Sequence, residues 1–181
     1  IASYSHTQAG LQLLRHCASW RKLVYSARTV PPELQRGALA SYEASLRRGL
    51  ELMLGDSLPD RSWTLAQLGL VHGGLGIRSP AQHAPAAYLA SLSQTSGQCK
   101  LIDPAFDAQD SNGGLHLRAT ETELQGGLME AAALARGGVP LRQKDLSAML
   151  DAAIVRRLAE EQRHHGGLCA HMALVGPPGH G

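Results

Sequence analysis

The 181-residue sequence predicts a mainly α protein, a helical bundle of about six helices with a Gly-rich turn and a loop near residues 97–118. The chain has 29 Leu and 26 Ala but only 10 Ile and Val together, and unbranched or small side chains lose little rotamer freedom in a helix. Aromatic residues make up only 4% of the chain, so Leu and Ala must fill the interior. Apolar residues also recur at helical spacing along most of the chain.

Two helices are predicted before residue 55. The first helix is predicted from about Thr7 to Arg28. Its apolar residues recur at steps of four, three and four, which places them on one side of a helix: Leu13, Cys17, Trp20 and Val24. Pro31 and Pro32 interrupt this pattern, because the residue before a proline avoids the helical region and proline suits a first turn. A second helix is expected from about Pro32 to Leu54, with a buried face made of Leu39, Tyr42, Leu46, Leu50 and Met53.

A short third helix and a longer fourth helix flank a glycine-rich turn. The third helix begins at Pro59 and Asp60 and carries Trp63, Ala66 and Gln67. The turn that follows, where backbones are expected to pack closely, is formed by Gly73, Gly74 and Gly76. Ser79 as the N-cap and Pro80 at the first helical position then begin a helix that runs to about Gln94.

Residues 97–118 are expected to separate two helical segments. This stretch is rich in Pro, Asp, Asn and Gly and has little periodicity, which is typical of a linker or an ordered loop. Residues 1–96 then form one helical segment, residues 119–165 a second helical segment and residues 166–181 an irregular tail. Within the second segment, Thr120 and Glu123 form a capping box for a helix to about Arg136. A last helix, from about Leu141 to Gln162, has apolar residues at every fourth position, namely Leu146, Leu150, Ile154 and Leu158.

Charge and cysteine content limit the classes of function. The net charge of +2 is too close to neutral to predict nucleic-acid binding by itself. Fourteen of the 17 cationic residues are Arg, which suits planar contacts to phosphate or carboxylate but equally fits a codon-level bias. Three widely spaced cysteines without a C-x-x-C pair predict no disulfide framework and fit an intracellular location, nuclear or cytoplasmic. No apolar run reaches the roughly 20 residues of a membrane span, so no membrane partner is expected.

The motifs that could carry chemistry are incomplete. The tail Gly176–Gly181 matches only the first half of a phosphate-binding loop and lacks the Lys and the Ser or Thr that such a loop needs. The sequence Gly74-Leu75-Gly76 resembles the start of a dinucleotide-binding motif, but Ser79 stands where the third glycine of that motif should be. The spacing of His164, His165, Cys169 and His171 fits no familiar zinc finger. Paired carboxylates lie in helix starts, solvated faces or loops. We therefore predict no catalytic residue, no metal and no cofactor in this segment.

Four stretches of the chain carry a family resemblance: Cys17–Pro32, Asp60–Leu68, Gly73–Ser79 and His83–Ser91. Together they resemble the region just after the catalytic palm in reverse-transcriptase proteins of non-long-terminal-repeat retrotransposons. Gln143–Ser147 and the tail are similar to the continuation of such proteins, which leads towards a cysteine-and-histidine cluster. The resemblance implies that this chain is the thumb and connection region of an RNA-directed DNA polymerase, with residues 1–96 as a thumb-like segment and residues 119–165 as a connection segment.

The resemblance also implies a non-catalytic role, because the paired aspartates of the polymerase are absent from this sequence. That role is to hold the primer-template backbone, either RNA or an RNA/DNA duplex, and to link the polymerase to a downstream domain of the parent polypeptide. Such contacts are weak, independent of sequence and sensitive to salt. The cations that could line this phosphate track are Arg15, Arg21, Lys22, Arg28, Arg47, Arg48 and Arg78. The alternatives are a helical protein-interaction module and an inactive retroelement remnant.

Overall fold

The computed structural model describes the backbone of residues 7–106 and 142–174, and the side chains of these ranges up to residue 163. Within them the protein is mainly α-helical and has no strand, which confirms the predicted fold class. The α-helices are α1 (Thr7–Cys17), α2 (Val24–Thr29), α3 (Pro32–Leu54), α4 (Asp60–Gln67), α5 (Pro80–Ile102) and α6 (Gln143–Leu174). Two short 3-10 turns lie at Trp20–Lys22 and Leu70–His72.

The prediction of one continuous helix from Thr7 to Arg28 was wrong, because the chain breaks between α1 and the first 3-10 turn. Ser19 is extended there, and the hydroxyl of Tyr42 donates to the Ala18 carbonyl at 2.7 Å. The break lets Leu14 and Trp20 enter two different apolar clusters, an example of tertiary packing that overrides local helix propensity. Cys17, predicted to lie on a buried stripe, is exposed at the end of α1.

The predicted helices α3 and α4 are confirmed. Pro32 occupies the first turn of α3, and Gly55 ends it in a left-handed conformation with φ of 76°. The residues predicted for its buried face lie inward: Leu39, Leu46 and Leu50 are buried, and Tyr42 and Met53 are partly buried. Trp63, Ala66 and Gln67 of α4 are all buried, as expected.

Helix α5 lies at the centre of the described helices. It packs against α2, α3 and α6, and its residues 83–90 are buried without exception. The cap predicted for its start is confirmed, because the side chain of Ser79 accepts a hydrogen bond from the backbone N–H of Gln82. Four of the eight buried residues are Ala, whose small side chains allow the neighbouring helices to approach closely.

In the part of the chain that the structure describes, three apolar clusters hold the helices together. The first joins α1, α3, α4 and the end of the glycine turn through Leu14, Leu46, Leu50, Trp63, Ala66 and Ile77. The second joins the first 3-10 turn, α2, α3 and α5 through Trp20, Ala27, Leu39, Ala84 and Ala87. The third joins α5 to α6 through Ala86, Leu89, Ala90, Leu146 and Leu150.

The ends of α5 and α6 differ from the predicted boundaries. Helix α5 continues to Ile102, so the loop expected from residue 97 begins later. The helix tolerates Gly97 because this glycine lies on an exposed surface, where an added Cβ would meet no atom within 4 Å. Helix α6 extends to Leu174, so the prediction of an irregular tail from residue 166 was wrong up to that residue. The predicted capping box at Thr120 and its helix lie outside the described residues.

The glycine turn folds back onto the end of α4. The backbone N–H groups of Leu75 and Ile77 both donate to the carbonyl of Ala66, and that of Gly76 donates to Leu68. Gly73 and Gly76 have φ of 77° and 72°, a conformation that residues with a side chain rarely adopt. At Gly74, an added Cβ would lie 2.2 Å from the Leu68 carbonyl oxygen, so no side chain fits between the two backbones.

Candidate nucleic-acid interface

The seven cations predicted to contact nucleic acid divide into two groups in the structure. Arg47 and Arg78 form ion pairs within the fold. The other five form no ion pair with a carboxylate in the described residues: Arg15, Arg21, Lys22, Arg28 and Arg48. Only the second group therefore offers its full charge to a ligand.

Arg47 ties the end of α3 to the start of α4. Its guanidinium lies 2.7 Å from an oxygen of Asp60 and 3.2 Å from one of Glu51, and it also donates to the backbone carbonyl of Leu58. The pKa of Arg47 is raised, mainly by its hydrogen bond to Asp60. These contacts turn Arg47 towards the connection between the two helices.

Arg78 ties the segment after the glycine turn to α6. One of its nitrogens lies 2.9 Å from Oδ2 of Asp151, whose side chain is 3% exposed. Burial raises the pKa of this carboxyl, and the positive charges of Arg78 and His72 oppose that rise. A buried carboxylate is stable only when it is paired, so Arg78 and Asp151 fix the position of α6 on the rest of the bundle.

His83 lies beside this ion pair on α5. Its Nε2 is 3.7 Å from Oδ1 of Asp151, and its ring centre is 5.8 Å from that of Trp20. Burial lowers the pKa of His83 to about 3, and the charge of Arg78 acts in the same direction, so the imidazole is neutral at neutral pH. The side chains of His83 and Asp151 are 2% and 3% exposed, so a dissolved substrate does not reach them. We assign this group a structural role.

We predict that Arg78→Ala lowers the free energy of unfolding by about 2 kcal/mol, because it leaves Asp151 buried without its partner. Urea denaturation followed by the fluorescence of Trp20 and Trp63 measures the loss. The double variant Arg78→Ala/Asp151→Ala should lose less than the sum of the two single variants, since neither charge is left alone. Additive losses would show that the pair is not coupled.

The remaining cations are concentrated near the start of the chain. Residues 1–32 contain four of the 17 cationic residues and none of the 15 acidic residues, the first of which is Glu33. The four are Arg15, Arg21, Lys22 and Arg28. The rest of the chain, with 13 cationic and 15 acidic residues, carries a net negative charge. It contains a longer acid-free stretch, residues 61–102, which holds only three cations, so the positive charge is denser in residues 1–32.

The local structure turns two of these four cations fully to solvent. Arg21 and Lys22 lie on the first 3-10 turn, are exposed and form no hydrogen bond with another described side chain. Arg28 ends α2, is partly buried and donates to the neutral amide of Gln94 at 3.4 Å. Arg15 is also partly buried and contacts its neighbours Gln12 and His16.

Sequence reasoning missed Tyr25, which lies among these cations and is 81% exposed. It also missed Glu43, Asp151 and His83. A signal was present for Glu43, because it continues the helical spacing of Leu39, Leu46 and Leu50 and is therefore an acid on a buried face. In the structure Glu43 accepts hydrogen bonds from Gln67 and Ser79.

No protein-family model, curated protein or solved structure matches this chain. In the described residues, no helix is both long and apolar enough to span a membrane. The same residues contain no cluster of three or more metal-ligand side chains. The side chains of His164, His165, Cys169 and His171 and the segment Gly176–Gly181 lie outside the part described. The fold and the sequence together define only a general class, a helical bundle with a basic, acid-free segment at residues 1–32.

Proposed function

We propose that this chain is a non-catalytic helical segment that binds the phosphate backbone of nucleic acid through its acid-free basic segment. In this proposal it is the thumb and connection region of a retroelement reverse transcriptase, and the parent protein supplies the polymerase. The observation that carries the proposal is the concentration of four cations within residues 1–32, without a single acid, in a chain that is otherwise net negative. Arg21 and Lys22 are the strongest candidates because both are exposed.

The physical argument rests on counterion release. Each cation that neutralises a phosphate releases a condensed counterion, and this favours binding at low salt whatever the base sequence. A pair of lysine or arginine side chains without nearby carboxylates keeps its charge available, whereas a cation in an internal ion pair does not. For this reason the proposal includes Arg21, Lys22, Arg28 and Arg15 but assigns Arg47 and Arg78 to the fold.

We predict that Arg21→Ala/Lys22→Ala weakens binding to a labelled RNA/DNA duplex about tenfold or more at low salt, because two phosphate contacts are lost. The change in fluorescence anisotropy on titration gives the affinity. The control is Arg156→Ala/Arg157→Ala, which removes the same charge from exposed adjacent positions on α6, where Arg157 lies 3.8 Å from Glu161 in an exposed ion pair. If the two double variants lose the same affinity, the proposal is wrong, because binding then follows net charge alone.

A helical protein-interaction module is the second candidate, and one observation favours it. Leu70 and Val71, in the second 3-10 turn, are 60% and 90% exposed, and adjacent exposed apolar residues are common at protein contacts. An interaction module would bury this pair against another part of the parent polypeptide. An affinity for nucleic acid that stays constant between low and moderate salt would favour this candidate over backbone binding.

A further inference from the structure

We propose that Tyr25 stacks on an unpaired base, so that the basic segment prefers single-stranded nucleic acid, or a single-stranded end, over a blunt duplex. This inference rests on the proposed function and names its substrate class. The observation behind it is the position of an 81% exposed aromatic ring in the middle of the acid-free cations. Arg21 and Lys22 precede Tyr25 by four and three residues, and Arg28 follows it by three.

Helical spacing places these four side chains on one side of the chain. Leu23 joins the first 3-10 turn to α2: its φ and ψ lie in the right-handed helical region, its N–H donates to the Trp20 carbonyl at 2.9 Å, and its carbonyl accepts from the N–H of Ala27 at 2.8 Å. In such a segment, residues three or four apart share a face. The opposite face carries the apolar contacts to α3 and α5, made by Trp20, Leu23, Val24 and Ala27.

The exposure of Tyr25 contrasts with that of the other described tyrosines. Tyr42 is partly buried and uses its hydroxyl to hold the chain break at Ala18, and Tyr88 is buried within α5. Tyr25 packs in none of the three apolar clusters, and its hydroxyl has no hydrogen-bond partner in the part of the chain that the structure describes. Its ring is therefore available to a ligand.

The combination of an open ring and flanking cations matches the chemistry of a single strand. Aromatic side chains stack on the faces of unpaired bases, and cations on either side neutralise the phosphates that connect them. In a blunt duplex the base faces are already stacked on each other, so only the cations can contribute. Tyr25 should therefore add affinity for a single strand and none for the duplex.

The test compares Tyr25→Ala, Tyr25→Leu and Tyr25→Phe with the unmodified chain. Each variant is titrated with a labelled 12-nucleotide single-stranded RNA and with the blunt duplex of the same sequence, with fluorescence anisotropy as the readout. We expect Tyr25→Ala and Tyr25→Leu to weaken single-strand binding about tenfold, as loss of one stacked base does, and Tyr25→Phe to keep it. Duplex binding should be the same for all four proteins. Urea midpoints equal to that of the unmodified chain would show that the exposed site does not alter the fold.

Three results would overturn the inference in distinguishable ways. If Tyr25→Ala weakens duplex and single strand equally, the ring does not stack on an unpaired base. If Arg21→Ala/Lys22→Ala weakens binding but Tyr25→Ala changes neither affinity, the basic segment binds backbone only, and the proposed function stands without this inference. If the unmodified chain binds neither RNA at low salt, both the inference and the proposed function fail.

Discussion

Gly74→Ala is expected to lower the free energy of unfolding by about 3 kcal/mol or more, because the glycine turn leaves no room for a methyl group. The new Cβ would lie 2.2 Å from the carbonyl oxygen of Leu68 and 2.7 Å from that of Leu65. Both are backbone atoms at the end of α4, so relief requires the glycine turn to move away from the helix. That movement would break the hydrogen bonds from Leu75 and Ile77 to Ala66.

Two other glycines supply matched controls for this substitution. Gly73→Ala meets no atoms within 4 Å but places a side chain at φ of 77°, so it should cost about 1 kcal/mol. Gly37→Ala lies on α3 with open space around it and should raise stability by about 1 kcal/mol. Urea denaturation gives the order of stability, and a Gly74→Ala variant as stable as Gly73→Ala would contradict the packing described for the turn.

The second large effect is a loss of stability in mild acid that depends on His83. The pKa of His83 is about 3 in the folded protein, against 6.5 for an ordinary histidine, because its side chain is buried. The unfolded chain therefore binds a proton that the folded chain excludes, and the contribution of His83 to stability, complete above pH 6.5, falls as the pH approaches 3. Between pH 7.5 and 4.5 the loss amounts to about 2.5 kcal/mol.

The variant His83→Gln should remove most of this dependence, because glutamine does not titrate. The pKa of Asp151 is raised by burial, so its contribution has the opposite sign and declines as the pH rises above the range of an ordinary carboxyl. It therefore opposes the loss of stability that His83 causes as the pH decreases. A slope for His83→Gln equal to that of the unmodified chain would contradict the buried, neutral state of His83.

The helices could be predicted from the sequence wherever an apolar face ran unbroken between clear signals for a start and a stop. Helix α3 is the clearest case, with Pro32 in its first turn, Leu39, Leu46 and Leu50 on one face and Gly55 at its end. The break after Cys17 could not be predicted, because the spacing of apolar residues continues across it. Only the fold shows that Leu14 and Trp20 belong to different clusters.

The candidate site was predictable in part, because sequence identifies a cation but not its partner. In the sequence, Arg47 and Arg78 have no evident partner, but in the folded protein they lie beside Asp60 and Asp151. Asp151 is 73 residues away from Arg78 in the chain, so sequence alone does not indicate this pair. Tyr25 has the reverse problem. An aromatic side chain is usually expected to be buried. Tyr25 is exposed because Trp20 and Ala27 pack the opposite face of this segment against the core.

The most direct test of backbone binding through residues 1–32 is the slope of the logarithm of the association constant against the logarithm of salt concentration, measured with single-stranded RNA. Four phosphate contacts, from Arg15, Arg21, Lys22 and Arg28, predict a slope of about −2.8, and Arg21→Ala/Lys22→Ala should reduce its size by about 1.4. The control Arg156→Ala/Arg157→Ala should keep the slope of the unmodified chain. A slope near zero, or the same slope in all three proteins, would contradict the account.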